Sequence, residues 1–207
     1  MARTVYIVRH GNTFDKGDVV TRVGARTDLP LSSSGSKQVI QLGAHFSAIE
    51  PDGFTAAYTG PLIRTKQTTE AILSASQNPP ELTIQPFLRE VDYGPDENQP
   101  ETDVVARIGE EALKAWEENA IPPKGWRVDP VAMQGNWRNF FDKIAKTTFE
   151  DARPVLIVTS NGIARFALRA ADVLPEGAPL KLKTAAYGKV ILHDDGKVEV
   201  LDWNVTS

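Results

Sequence analysis

The chain has 207 residues, 41% of them hydrophobic and 24% charged, the proportions of an ordinary globular protein long enough for one sizeable core. A formal net charge of −4 offers no basic excess to neutralise phosphates, so broad binding to nucleic acid or to an anionic membrane is excluded. The lack of cysteine removes disulfides, thiolate metal sites and a cysteine nucleophile, and no run of about 18 apolar residues marks a membrane span. The N-terminus enters a short apolar strand almost at once, without the long apolar core of a signal peptide, so a cytoplasmic protein is expected.

Thr4 to Val8 is β-rich and ends in Arg9-His10-Gly11, and residues 12–32 read as a loop broken by Gly17, Gly24 and Pro30. Ser33 or Ser34 is the expected cap of a helix that places Val39, Leu42, Phe46 and Ile49 on one face. A short strand is expected at 55–59, a helix at 62–76 and an alternating strand at 82–87. Residues 95–100 form a polar loop. One helix is predicted over 104–119 with Val105, Ile108, Leu113 and Trp116 inward, ended by Pro122, Pro123 and Gly125; another is predicted over 133–148. The apolar run 155–158 is a central strand followed by a helix from Gly162. Residues 190–193 and 198–203 flank Asp194-Asp195-Gly196 as a hairpin. The alternation predicts an α/β fold, a three-layer α/β/α sandwich on a mostly parallel sheet. A single domain over 1–207 is expected, with residues 90–153 as a helical insert near the active site.

The chain has three histidines. His45 lies on the first predicted helix and His193 beside the hairpin turn. His10 ends the first strand in VRHGNT, next to a guanidinium and to a glycine that lets the backbone turn or a ligand approach. An imidazole nucleophile beside an arginine that grips two oxygens at once suits phosphoryl transfer. Taken alone, such a tripeptide is more often a surface histidine at a strand end.

It does not stand alone. GARTDLPL at 24–31 is followed by Ser-Ser-Ser-Gly; YTGPLIRTKQTTEAI spans 58–72, LREVDYG spans 88–94, and RPVLIVTSNGIARF spans 153–166. In order and spacing these segments resemble the histidine phosphatase superfamily, also called phosphoglycerate-mutase-like, over about three-quarters of the chain. The resemblance implies a phosphate-accepting His10, with Arg9 and Arg64 binding the phosphoryl oxygens. It implies Glu90 as general acid, a role that needs its carboxyl to hold a proton near neutral pH, for which Asp92, Asp96 and Glu97 are the nearest carboxylates in sequence. Asn12 adds a hydrogen-bonding group at the same strand end. The family's S-H-G-G aligns with Thr159, Ser160, Asn161 and Gly162, so its second histidine is Ser160 here. Ser160 and Asn161 are then phosphate contacts at a helix start, or simply caps of that helix.

The expected activity is hydrolysis of a small phosphorylated metabolite through a phosphohistidine on His10, with no metal and no cofactor. A catalytically weak phospho-ligand-binding relative is the alternative, and a phosphomutase the third reading. The acidic stretch 90–103 would repel highly charged ligands if it rims the pocket, or is a solvated loop. Lys124, Trp126 and Arg127 are candidates for an opposing rim, although a core or helix-covering position is the favoured reading of Trp126, and Arg22 and Arg26 are candidates for contacts to the rest of the substrate. Arg165 is expected to serve local packing.

Overall fold

The computed structural model describes residues 2–207. Its strands are β1 (Arg3–Arg9), β2 (Ala56–Thr59), β3 (Leu82–Ile84), β4 (Val155–Thr159), β5 (Tyr187–Leu192) and β6 (Val198–Val205). They form one sheet in the order β3-β2-β4-β1-β5-β6. The first four are mutually parallel, while β5 pairs antiparallel with both β1 and β6. The helices are α1 (Ser33–Ile49), α2 (Ile63–Ser74), α3 (Glu101–Ile108), α4 (Glu110–Asn119), α5 (Pro130–Lys146) and α6 (Asn161–Ala170).

The pleat divides the core. Tyr6 and Val8 of β1, with Leu156 and Val158 of β4, face Leu42 and Phe46 of α1 and Ile72 of α2. Val5, Ile7, Val155 and Ile157 point the other way, onto Trp137 and Phe141 of α5 and Phe166 of α6. These strands are apolar throughout because both of their faces are covered, as parallel strands require. The α/β sandwich expected from the sequence is therefore present.

This arrangement also locates a crevice. From β1 the chain crosses to a helix on one face; from its neighbour β4 it crosses to a helix on the other. Adjacent parallel strands whose connections part in this way open a cleft at their carboxyl ends, which is where α/β proteins bind ligands. His10 and Ser160 are the residues that follow those two ends.

Several boundaries differ from the sequence reading. The cap of α1 is Ser32, whose hydroxyl accepts from the Gly35 amide at 3.1 Å, one position before the expected serines. Ile49, expected on the inward face, is 41% exposed. The helix expected over 104–119 is two helices, α3 and α4, parted at Gly109 with φ +81°, and Val104 rather than Val105 is fully buried. Helix α5 starts three residues early because Asp129 caps it through the Val131 and Ala132 amides and Pro130 fills its first position.

Candidate functional site

His10 leaves β1 with its amide bonded to the Thr159 carbonyl at 3.1 Å, so the end of β4 sets its backbone. Gly11 is required for a different reason from the one its neighbours suggested. A Cβ there would lie 2.7 Å from the Gly35 carbonyl oxygen, so the close approach is to α1 and not to a ligand. The imidazole is 7% exposed. Its Nε2 faces the Arg64 Nε at 3.2 Å, and its Nδ1 faces the Gly11 carbonyl at 2.7 Å. A guanidinium N–H can only donate, so Nε2 is the acceptor and the ring proton sits on Nδ1, donated to Gly11. The Nε2 lone pair therefore points at Arg64. Burial, then Arg64 and then Arg9, hold the imidazole well below its usual value of 6.5, in its neutral form.

Arg64 is fully buried in the first turn of α2. Its other two nitrogens donate to the Thr27 carbonyl at 2.8 Å and the Gly24 carbonyl at 3.2 Å. Helix α2 lacks a side-chain cap of its own at Leu62, and Asp28 supplies one from the loop, accepting from the Ile63 amide at 2.7 Å. The aspartate of GARTDLPL thus positions Arg64 from a distance. Gln67 does the reverse, accepting from the Leu31 amide at 2.8 Å. Arg9 is anchored by one bond, to the Leu182 carbonyl at 2.8 Å, and its buried Nε has no partner.

Glu90 is 6% exposed. One oxygen accepts from its neighbour's amide, Val91, at 2.8 Å and the other from the Gly162 amide at 3.1 Å, at the start of α6. Arg9, His10, Arg64, Glu90 and Asn161 all line one cavity of about 310 Å³. Two of the other expected site residues stand off its lining. Asn12 is tied to α1, its amide N–H bonded to Gln38 at 2.9 Å and its side chain to Ser34 at 3.3 Å. Ser160 occupies the N-cap position of α6 without capping it; its hydroxyl is fully buried and unpartnered. Asn161 does not cap either, because its oxygen accepts from the Leu182 amide at 2.9 Å and secures the loop that holds Arg9.

Other expectations are corrected. Asp92, Asp96 and Glu97 do not cluster on Glu90. Asp92 pairs with Arg26 and Arg127, Asp96 bonds Arg107 and Trp126, and Glu97 takes the Gly24 and Arg26 amides. Trp126 takes the core position favoured for it over a substrate platform: it is 7% exposed, packs edge-on against Tyr93 and Trp116, and sets its N–H on Asp96. Lys124 and Arg127 are exposed and, like Arg26, stand off the cavity. Arg22 does line it, and so does Glu101 of the acidic stretch, joined to Arg22 at 2.5 Å. Arg165 is fully buried, stacked 3.9 Å over the Trp116 ring, in keeping with a packing role.

The sequence reading missed Lys181, Glu117, Phe14 and Tyr93, all on the cavity wall. Glu117 reads as a solvated helix charge and Lys181 as a loop lysine; only the fold brings them together, 3.3 Å apart. Among the described residues no group of three or more histidines and carboxylates is placed to hold a metal ion, and no helix is long and apolar enough to cross a membrane.

The chain is 34% identical to mouse (Mus musculus) fructose-2,6-bisphosphatase TIGAR over 145 residues, which cover 68% of this chain and 50% of that protein. It is 34% identical over 90 residues to a probable phosphoglycerate mutase, GpmB, of Salmonella newport, covering 44% of this chain and 39% of the relative. The chain thus spans about half, or less, of the length of these curated relatives. Its fold superposes on a mycobacterial glucosyl-3-phosphoglycerate phosphatase with a TM-score of 0.79 over the whole of both chains, at 18% identity. The sequence model of the histidine phosphatase superfamily (branch 1) matches residues 5–206. The chain with this buried imidazole at the end of its first strand belongs to the histidine phosphatase superfamily.

Proposed function

We propose that this protein hydrolyses a small phosphorylated metabolite through a phosphohistidine on His10. The observation that carries the reading is the state of that imidazole: neutral, buried, its Nε2 lone pair facing Arg64 on the wall of a cavity shared with two arginines and a carboxyl. In the first step Nε2 forms a bond to phosphorus as the ester P–O bond breaks, and the leaving oxygen takes a proton from Glu90. In the second, Glu90 removes a proton from water, the water oxygen binds phosphorus, and the N–P electron pair returns to Nε2. Arg9, with an unpartnered Nε, and Arg64 hold the phosphoryl oxygens. At position 160, where the family has its second imidazole, this chain has a neutral hydroxyl that lies buried off the cavity wall. Asn161 shapes the phosphoryl end of the cavity, while Asn12 serves α1. Residues 90–153 are an insert whose helices wall the site, within a single domain. The names of the relatives, two phosphatases and a probable mutase, support a small-molecule substrate. A cytoplasmic location without nucleic-acid partners belongs to the same proposal and is consistent with the charge of −4.

A weakly active phospho-ligand binder is the second reading, favoured by one observation: an uncharged hydroxyl at position 160. Loss of one preorganised donor typically lowers turnover about 100- to 1000-fold. An assay with p-nitrophenyl phosphate separates the two. Hydrolysis that disappears in His10→Ala supports the phosphatase. An inert wild-type protein that still binds inorganic phosphate supports the binder. Activity surviving in His10→Ala refutes the phosphohistidine route.

A further inference from the structure

The cavity has an inner and an outer half of different electrical character. Four cationic side chains line it, Arg9, Arg22, Arg64 and Lys181, and three carboxylates, Glu90, Glu101 and Glu117. Arg9 and Arg64 flank His10 and together match the two charges of one phosphoryl group. The outer two cations are already spent. Arg22 pairs with Glu101 at 2.5 Å and Lys181 with Glu117 at 3.3 Å.

Arg22 is not a swinging surface group. Its side chain is 13% exposed, its guanidinium carbon sits 5.3 Å from the Tyr93 ring and 5.3 Å from the Trp126 ring, and its amide is bonded to Gln99 at 2.9 Å. Its Nε is buried and has no partner. A second phosphoryl group on the substrate would meet Glu101 and Glu117 beside each cation it sought, and juxtaposed like charges disfavour binding strongly. A hydroxyl meets no such conflict. It donates to a carboxylate oxygen and accepts from a guanidinium or ammonium, so an ion pair offers it both partners at once.

We propose that the two ion pairs Arg22–Glu101 and Lys181–Glu117 select a phosphomonoester whose remaining part is uncharged and hydroxyl-bearing, and reject bisphosphates. The inference rests on the phosphatase reading of the same cavity, and its test is arranged so that the two fail separately. Binding is measured by titration calorimetry on the His10→Asn protein, and kcat/KM on the wild type, for glucose 6-phosphate, glucose 1,6-bisphosphate and n-hexyl phosphate. Glucose 6-phosphate is expected to bind about tenfold or more tightly than either of the others. In Glu101→Gln/Glu117→Gln, Arg22 and Lys181 lose their carboxylates, and the ratio is expected to move about tenfold or more toward the bisphosphate. Preference of the wild type for the bisphosphate, equal affinity for hexyl phosphate, or an unchanged ratio in the folded double variant each overturns the proposal. If nothing is turned over, p-nitrophenyl phosphate included, the hydrolase reading falls while the calorimetric ratios still decide this one.

Discussion

Replacing Gly162 with alanine tests the site at a position that carries no chemistry. A Cβ at 162 would sit within the van der Waals surface of Glu90 Oε1, 2.9 Å from Val91 Cγ2 and 3.0 Å from Glu90 Cδ. Ordinary carbon contacts lie at about 3.5–4.0 Å, so one group must move by roughly 1 Å. Val91 is 1% exposed and held in the core, so the Glu90 carboxyl is the part that yields, giving up its 3.1 Å bond to the Gly162 amide. A misplacement of about 1 Å costs about 100-fold in rate, which is about 2.7 kcal/mol of transition-state stabilisation. If Glu90 protonates the leaving oxygen, the loss falls on poor leaving groups. Gly162→Ala is therefore expected to lower kcat/KM on an alkyl phosphate about 100-fold and on p-nitrophenyl phosphate less than about tenfold. Glu90→Gln should show the same split, and the double variant should be little worse than either alone, because both act on one proton transfer. Thermal unfolding separates this from damage to the fold, since overpacking costs about 1–3 kcal/mol. A folded Gly162→Ala protein that hydrolyses alkyl phosphates within about threefold of wild type would refute the assignment of Glu90.

Three further outcomes are expected. Ser160→Ala removes a buried hydroxyl that has no partner and stands off the cavity wall, so its melting temperature should equal or exceed that of the wild type while inhibition by inorganic phosphate stays the same; weakened inhibition would bring Ser160 into the phosphoryl site. The His10 imidazole is held below its usual value by burial and two arginines, so below about pH 6.5 the unfolded chain binds a proton that the folded chain refuses. Stability is complete above that value and falls as the pH drops through it, by up to about 1.4 kcal/mol per pH unit, and urea titrations of His10→Gln between pH 7 and 5 should lack this part of the slope. Asp96 is 1% exposed and accepts from both Arg107, which is 38% exposed, and the buried Trp126 indole, so Asp96→Ala leaves the indole N–H unsatisfied and should cost about 1–3 kcal/mol in urea unfolding; a loss under about 0.5 kcal/mol would show the carboxylate to be dispensable.

The strands β1, β4, β5 and β6 and the amphipathic helices were legible because short-range pattern governs them: apolar runs for strands covered on both faces, and helical spacing where one face is covered. The four residues at the heart of the site, Arg9, His10, Arg64 and Glu90, were legible because each lies in a short segment whose order along the chain is distinctive. What the sequence leaves unread is chiefly what depends on partners distant in the chain. Asp28 reads as a loop residue until α2 arrives with an uncapped start. Gly162 reads as a helix opener until Glu90, 72 positions away, bonds its amide. Asn161 reads as a cap, yet its oxygen holds Leu182.

By itself, the order of apolar runs, breakers and polar strand ends determined the layers of the fold and placed His10 at the end of the first strand, because local backbone and hydrophobic preferences act over a few residues. Tertiary structure alone decided the charge state and direction of that imidazole, since both follow from its burial and from Arg64 facing it across the crevice. It also decided the character of the outer cavity. Whether Arg22, Lys181, Glu101 and Glu117 are four separate charges or two closed pairs depends on distances of 2.5 and 3.3 Å between segments 79 and 64 residues apart, and electrostatic interaction depends on separation in space, not along the chain.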